Sequence, residues 1–97
     1  MFIVLLRFSD NRDQAGEYMD AHNEWIKSGF DDNVFLLAGS LQPGLGGAIV
    51  AHDCTQQDLQ RRIDADPFVA QKVVSAEILE ISPARAEQRL SFLLGQP

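Results

Sequence analysis

The chain has 97 residues, of which 45% are hydrophobic and 23% are charged, and its formal net charge is −6. This length suits one core, so we expect residues 1–97 to form a single domain. Its eight Lys and Arg residues are scattered, which argues against nucleic acid or an anionic membrane as a partner. No apolar run approaches the roughly 20 residues of a membrane span, and FIVLL at 2–6 lacks the basic flank, length and cleavage site of a signal peptide. We therefore expect a soluble, cytoplasmic protein whose single cysteine, Cys54, is a reduced thiol.

Four segments predict β-strands, and the first, FIVLLRF at 2–8, is a short apolar run rich in strand formers. The other three lie at 34–39, 48–52 and 72–81. The glycine-rich segment QPGLGG at 42–47 leads into a strand rather than a helix. This favours a hairpin turn over a phosphate-binding loop.

Three segments predict helices. The first follows the candidate N-cap residues Ser9 and Asp10 and ends at Gly29. The second covers 56–66, after Thr55, and the third covers 84–95, after a Ser-Pro pair typical of a helix start. We expect the last residues, LGQP at 94–97, to be loosely held.

The order β-α-β-β-α-β predicts an α+β, ferredoxin-like fold with a four-stranded antiparallel sheet and an extra C-terminal helix. Helices cover only one face of such a sheet. FIVLL at 2–6 and VFLL at 34–37 nevertheless offer apolar side chains to both faces, and a face this apolar is rarely left in water. We therefore expect a homodimer whose two sheets pack face to face.

A histidine lies in the middle of an apolar stripe in EYMDAHNEWIKSG, residues 17–29. At about 100° per residue, six residues fall on the same side of the helix as His22: Ala15, Tyr18, Met19, Trp25, Ile26 and Gly29. We expect the imidazole to point at the sheet and to need a hydrogen-bond partner, since an unpaired buried polar group costs about 1–3 kcal/mol. Such a histidine is more often a satisfied core residue than a functional one.

DADPFVA, residues 64–70, supplies a candidate partner for that histidine. Asp66 ends the second predicted helix, because Pro67 disfavours helical geometry in the residue before it. Taken alone, an aspartate before proline is commonly a turn residue. In a ferredoxin-like fold both helices lie side by side on one sheet face, so the topology allows His22 and Asp66 to meet, although the sequence does not give their distance.

These motifs together resemble the YCII-like (YciI) family of small dimeric α+β barrel proteins. The resemblance rests on His22 followed by WIKSG, on VFLLAGSL at 34–41 and above all on DADPFVA at 64–70, and it extends from the first strand through the fourth. It implies a dimeric α+β barrel in which His22 and Asp66 are a catalytic pair. It also implies a role for Ser40, the hydroxyl residue after the Ala-Gly pair.

The resemblance further implies lyase chemistry, such as dehydrochlorination of hydroxylated aromatic compounds. Isomerisation of a small cyclic or aromatic compound fits the same pair, because it too needs proton transfer and no external cofactor. We expect His22 to be the general acid or base, Asp66 to orient it and Ser40 to hydrogen-bond a substrate oxygen. No cofactor is required for proton transfer, and His52 with Asp53 lacks a third residue at metal-ligand spacing, so no metal site is predicted. Ser40 as an ordinary strand-end residue remains an alternative.

A second function is compatible with the same residues. The chain would then be a non-catalytic dimeric module that binds a small ligand or another protein, with His22 and Asp66 kept as a buried hydrogen bond. An apolar pocket with His22 exposed at its base would favour the enzyme. Full enclosure of both side chains would favour the binding module.

Overall fold

A computed structural model describes residues 1–95. Four strands form one antiparallel sheet in the order β2-β3-β1-β4, which confirms the predicted α+β, ferredoxin-like fold. The strands are β1 (Phe2–Phe8), β2 (Phe35–Leu41), β3 (Gly46–Ala51) and β4 (Val74–Glu80). The helices are α1 (Ala15–Asp31), α2 (Gln56–Asp64) and the short α3 (Pro67–Ala70).

Alternate residues of the central strand β1 set the two faces of the sheet. Phe2, Val4 and Leu6 are buried and belong to one core cluster with Trp25 of α1 and with residues of α2. The α2 contribution is Leu59 and Ile63, the four-residue spacing expected of a helix face that packs on a sheet. The core therefore lies between the helices and this inner face.

The outer face of the sheet carries a row of apolar side chains that crosses all four strands. The strand registers place Leu37 of β2 opposite Val50 of β3, Val50 opposite Ile3 of β1, and Ile3 opposite Leu79 of β4. Leu37 is 58% exposed and Leu79 is 43% exposed. No described helix covers this row.

The approach to α1 differs from the prediction. Neither Ser9 nor Asp10 caps the helix; a 3-10 turn at Arg12–Gln14 comes first, and α1 has no side-chain cap. The cause is a backbone connection to the start of β4, because the Ser9 amide donates to the Val73 carbonyl oxygen and the Asn11 amide to that of Lys72. The helix continues two residues past the predicted end at Gly29.

The helix predicted at 84–95 is a short 3-10 helix at Gln88–Leu93, preceded by irregular chain. Leu90 is 46% exposed and Phe92 is 55% exposed, so this segment buries little apolar surface. A helix this short is marginal in water without tertiary packing. Residues 96 and 97 of the LGQP end lie outside the described residues.

None of the helices in residues 1–95 combines the length and the apolar character that a membrane crossing would require.

Candidate functional site

His22 and Asp66 form a hydrogen bond. The distance from Nδ1 of His22, on α1, to Oδ1 of Asp66, just before α3, is 2.7 Å. The Asp66 side chain is fully buried, and that of His22 is 12% exposed. Because an ionised carboxylate can only accept, Nδ1–H of His22 donates and Nε2 is left as the free ring nitrogen.

Local chain geometry puts Asp66 in this position. Pro67 is the first residue of α3, and Asp66 before it is extended, with φ −62° and ψ 125°. Asp66 thus ends α2 two residues earlier than predicted and becomes the N-cap of α3: its Oδ1 also accepts the Phe68 amide at 3.0 Å. The same oxygen therefore holds both the start of α3 and the His22 ring.

The second carboxylate oxygen of Asp66 is a buried acceptor without a partner. Within residues 1–95 no donor reaches Oδ2, although nearly all buried polar atoms in folded proteins are paired. Both hydrogen bonds of the carboxylate, from the His22 ring and from the Phe68 amide, are made to Oδ1.

Two aromatic rings lie next to the imidazole of His22, and one of them is in close stacking contact with it. Phe68 stacks on His22 with a centroid distance of 3.9 Å and an interplanar angle of 5°. The Trp25 ring lies 5.7 Å away on the same helix, and its Nε1–H donates to the Arg62 carbonyl oxygen at 2.9 Å. The ring of His22 is thus fixed by a hydrogen bond at one edge and by a flat contact on one face.

His22 also lines an open cavity of about 480 Å³ between α1 and the inner face of the sheet. Small-molecule sites commonly have volumes of about 300–1,000 Å³. The floor has room because Gly47 of β3, which lies between Ser40 and Leu6 in the strand registers, has no side chain. The cavity is large enough for a one- or two-ring compound.

Ser40 lies on the wall of this cavity, on β2, together with Asn23 of α1. Among the described residues its hydroxyl makes no hydrogen bond to His22 or Asp66. The structure therefore brings all three predicted site residues to one region but pairs only two of them. His52 is separate: its ring meets that of Phe92 at 5.6 Å and does not line the cavity.

Phe68 and Asn23 were not identified as site residues from the sequence. Phe68 belongs to DADPFVA, the segment that marked Asp66, so the sequence did place it close to one member of the pair. Asn23 gave no signal, since it lies beside His22 on the edge of the apolar stripe and reads as a surface residue.

Comparisons with known proteins support the fold and leave the family open. No protein-family model matches the chain, and no curated protein matches it. Among solved structures, the chain is similar to 5-chloro-2-hydroxyhydroquinone dehydrochlorinase (TftG) from Burkholderia phenoliruptrix AC1100, in complex with 2,5-dihydroxybenzoquinone. The TM-score is 0.68, the sequence identity is 10%, and the match covers 84% of this chain and 93% of that chain. At this identity the similarity shows a shared fold.

Proposed function

We propose that the chain is a YCII-like enzyme of a single domain, residues 1–97, in which His22 and Asp66 transfer a proton on a small cyclic or aromatic compound. The observation that supports this most strongly is the 2.7 Å hydrogen bond between a cavity-lining histidine and a fully buried aspartate. The reaction is of the lyase or isomerase type, such as elimination from a hydroxylated ring. Both reaction types need a proton moved and no external cofactor.

In this proposal each residue of the pair has one role. Asp66 accepts a hydrogen bond from Nδ1–H, which fixes the tautomer of His22 and stabilises the imidazolium that forms when Nε2 takes a proton from the substrate. The same Nε2 then returns the proton to the leaving group or to a second carbon. A positioned acid or base of this kind typically contributes about a hundredfold to ten-thousandfold in rate.

Ser40 is proposed to hydrogen-bond a substrate oxygen. Its place on the cavity wall supports this role, because a hydroxyl can both donate and accept and therefore suits either a phenol or a quinone. The dehydrochlorinase of similar fold was solved with a dihydroxybenzoquinone, which makes hydroxylated rings the first compounds to screen.

The enzyme is favoured over a non-catalytic binding module by the exposure of His22. A structural hydrogen bond would serve equally well with both side chains enclosed, and Asp66 is indeed fully enclosed. His22, however, keeps 12% of its side chain exposed and lines the cavity, as a group that contacts substrate must.

The function is tested by following proton transfer directly. Hydroxylated and chlorinated aromatic compounds would be incubated with the protein in D2O, with ring hydrogen exchange followed by NMR and chloride release by ion chromatography. On a compound that reacts, we expect His22→Gln to lose at least about a hundredfold in rate and His52→Gln, the matched control, to match the parent. A reactive compound on which His22→Gln retains full activity would contradict the proposal.

We also propose that the protein is a homodimer whose sheets pack through their outer faces. The apolar row Leu37, Val50, Ile3 and Leu79 supports this, because soluble proteins rarely leave a contiguous apolar face in water. A cytoplasmic location stays a prediction from the sequence.

A further inference from the structure

Among residues 1–95, the lining of the cavity contains no formally charged side chain other than the ionisable His22. Of the residues on its wall, the polar ones are His22, Asn23 and Ser40, and the remainder are apolar or glycine. No Lys, Arg, Asp or Glu is among them. A ligand in this cavity therefore meets hydrogen-bonding groups but no dedicated counter-ion.

The His22–Asp66 pair does not supply the missing positive charge. With the imidazole neutral, the pair carries the single negative charge of Asp66. With the imidazole protonated, the two charges cancel across the 2.7 Å hydrogen bond. In neither state does the pair present a net positive charge to an anion, and moving an anion from water into an apolar cavity is costly without one.

Arg12 contacts the ring of a residue that lines the cavity. Its guanidinium carbon lies 4.4 Å from the centre of the Phe8 ring, and Phe8 is part of the wall. Arg12 itself does not line the cavity and is exposed. Its guanidinium is therefore engaged with the face of an aromatic ring and with solvent.

We propose that the cavity selects an uncharged ring compound with hydroxyl or carbonyl groups and discriminates against carboxylated or phosphorylated analogues. This inference rests on the proposed function, whose substrate class it defines. The apolar wall holds the ring, and Asn23 and Ser40 hydrogen-bond the neutral oxygens. The overall charge of −6 acts in the same direction by disfavouring the approach of anions.

The test measures binding without turnover. The probes are 4-hydroxybenzyl alcohol and 4-hydroxybenzoate, which share a ring and a phenol and differ in charge. Each is titrated into the 15N-labelled protein, and the amide shifts of cavity residues give the affinity. We expect the alcohol to bind at least about tenfold more tightly than the benzoate, because a neutral group gives up less hydration.

A positive charge placed on the wall should remove this preference. Met19 lines the cavity one helical turn before His22, so Met19→Arg should tighten benzoate binding by at least about tenfold through a charge-assisted hydrogen bond. Gln57→Arg adds the same charge on α2, away from the wall, and should leave both affinities unchanged.

Three results would overturn the inference. One is that benzoate binds to the parent protein as tightly as the alcohol does. If Arg12→Gln then abolished benzoate binding, Arg12 would be the residue that recognises the anion. Another is the absence of saturable shifts in cavity residues with the alcohol at millimolar concentration. The third is an equal gain in Met19→Arg and Gln57→Arg. A failure of the proposed function would be separate, since it would appear as full activity in His22→Gln.

Discussion

The contact between Phe68 and His22 ties the geometry of the proposed base to a single aromatic ring. At 3.9 Å and 5° the two rings are stacked, and aromatic pairs of this kind contribute about 0.5–1.5 kcal/mol beyond the area they bury. Phe68 is also the second residue of α3, and its amide donates to the Asp66 carboxylate, so it contacts both partners of the hydrogen bond. We therefore regard Phe68 as a positioning residue.

Replacing Phe68 with Leu should free the imidazole while keeping the site apolar. We expect the His22 ring protons to lose the upfield ring-current shift that a stacked aromatic produces, and we expect kcat on a reactive compound to fall by about tenfold. Phe68→Tyr keeps the flat face and should restore the shift. If the His22 ring signals were the same in Phe68→Leu as in the parent, Phe68 would be only a core residue.

The Cys54 thiol should react slowly with alkylating agents. It is partly buried, and burial raises its pKa above the ordinary value, with the Asp58 carboxylate acting in the same direction. A raised pKa leaves less thiolate at neutral pH, so alkylation by iodoacetamide should be several-fold slower in the folded protein than in urea and should accelerate only at higher pH. Identical pH–rate profiles for folded and unfolded protein would contradict this reading.

At the scale of elements, Gly46 allows β3 to begin beside β1. Its φ is +135°, and a Cβ added there would overlap the carbonyl oxygen of Leu6. Gly46→Ala should therefore destabilise the fold by about 1–3 kcal/mol. Gly16 in α1 is the matched control, because a Cβ there meets nothing within 4 Å and the helix should gain up to about 1 kcal/mol.

Urea unfolding of both glycine variants measures these effects. An unchanged midpoint in Gly46→Ala would show that the β1–β3 register can shift to accommodate a side chain. The register also matters to the cavity, since Gly46 and Gly47 form part of its wall. The same variant should therefore weaken ligand binding.

The elements differ in how far the sequence predicts them, and packing explains the difference. β1 coincides with the predicted 2–8 because its apolar run is buried on one face and paired on both edges. The C-terminal segment is also rich in leucine. None of the residues in its helical turn is buried, however, and it forms only a 3-10 helix. Asp66 as the N-cap of a separate helix could not be predicted, because a four-residue helix has no periodicity to detect.

The sequence likewise predicts only part of the candidate site. Position on a helix face placed His22 toward the sheet, and the Asp-Pro pair marked Asp66 as a helix terminus. Their 2.7 Å separation depends on how α1 and α3 pack against each other, which local sequence patterns do not report. The cavity beside them results from small residues on neighbouring strands, so it too emerges only when the sheet is assembled.

For the whole molecule, the outer face of the sheet predicts the state of assembly. We expect the parent to sediment as a dimer of the 10.8 kDa chain, and Leu37→Glu or Leu79→Glu to weaken association at least tenfold, since about 1.4 kcal/mol suffices for that factor. Leu45→Glu, an exposed apolar position in the β2–β3 turn, is the control and should remain dimeric. A parent protein that sediments as a monomer at micromolar concentration would refute the face-to-face dimer.

The most direct test of the central claim, that Asp66 holds His22 with Nε2 free for proton transfer, is the long-range 1H–15N NMR spectrum of the imidazole rings, with His52 as an internal reference. At a pH where the ring is neutral, we predict that His22 carries its proton on Nδ1, with Nε2 giving the signal of an unprotonated nitrogen. A neutral His22 protonated on Nε2 would contradict the account, because that nitrogen could not accept a proton from a substrate.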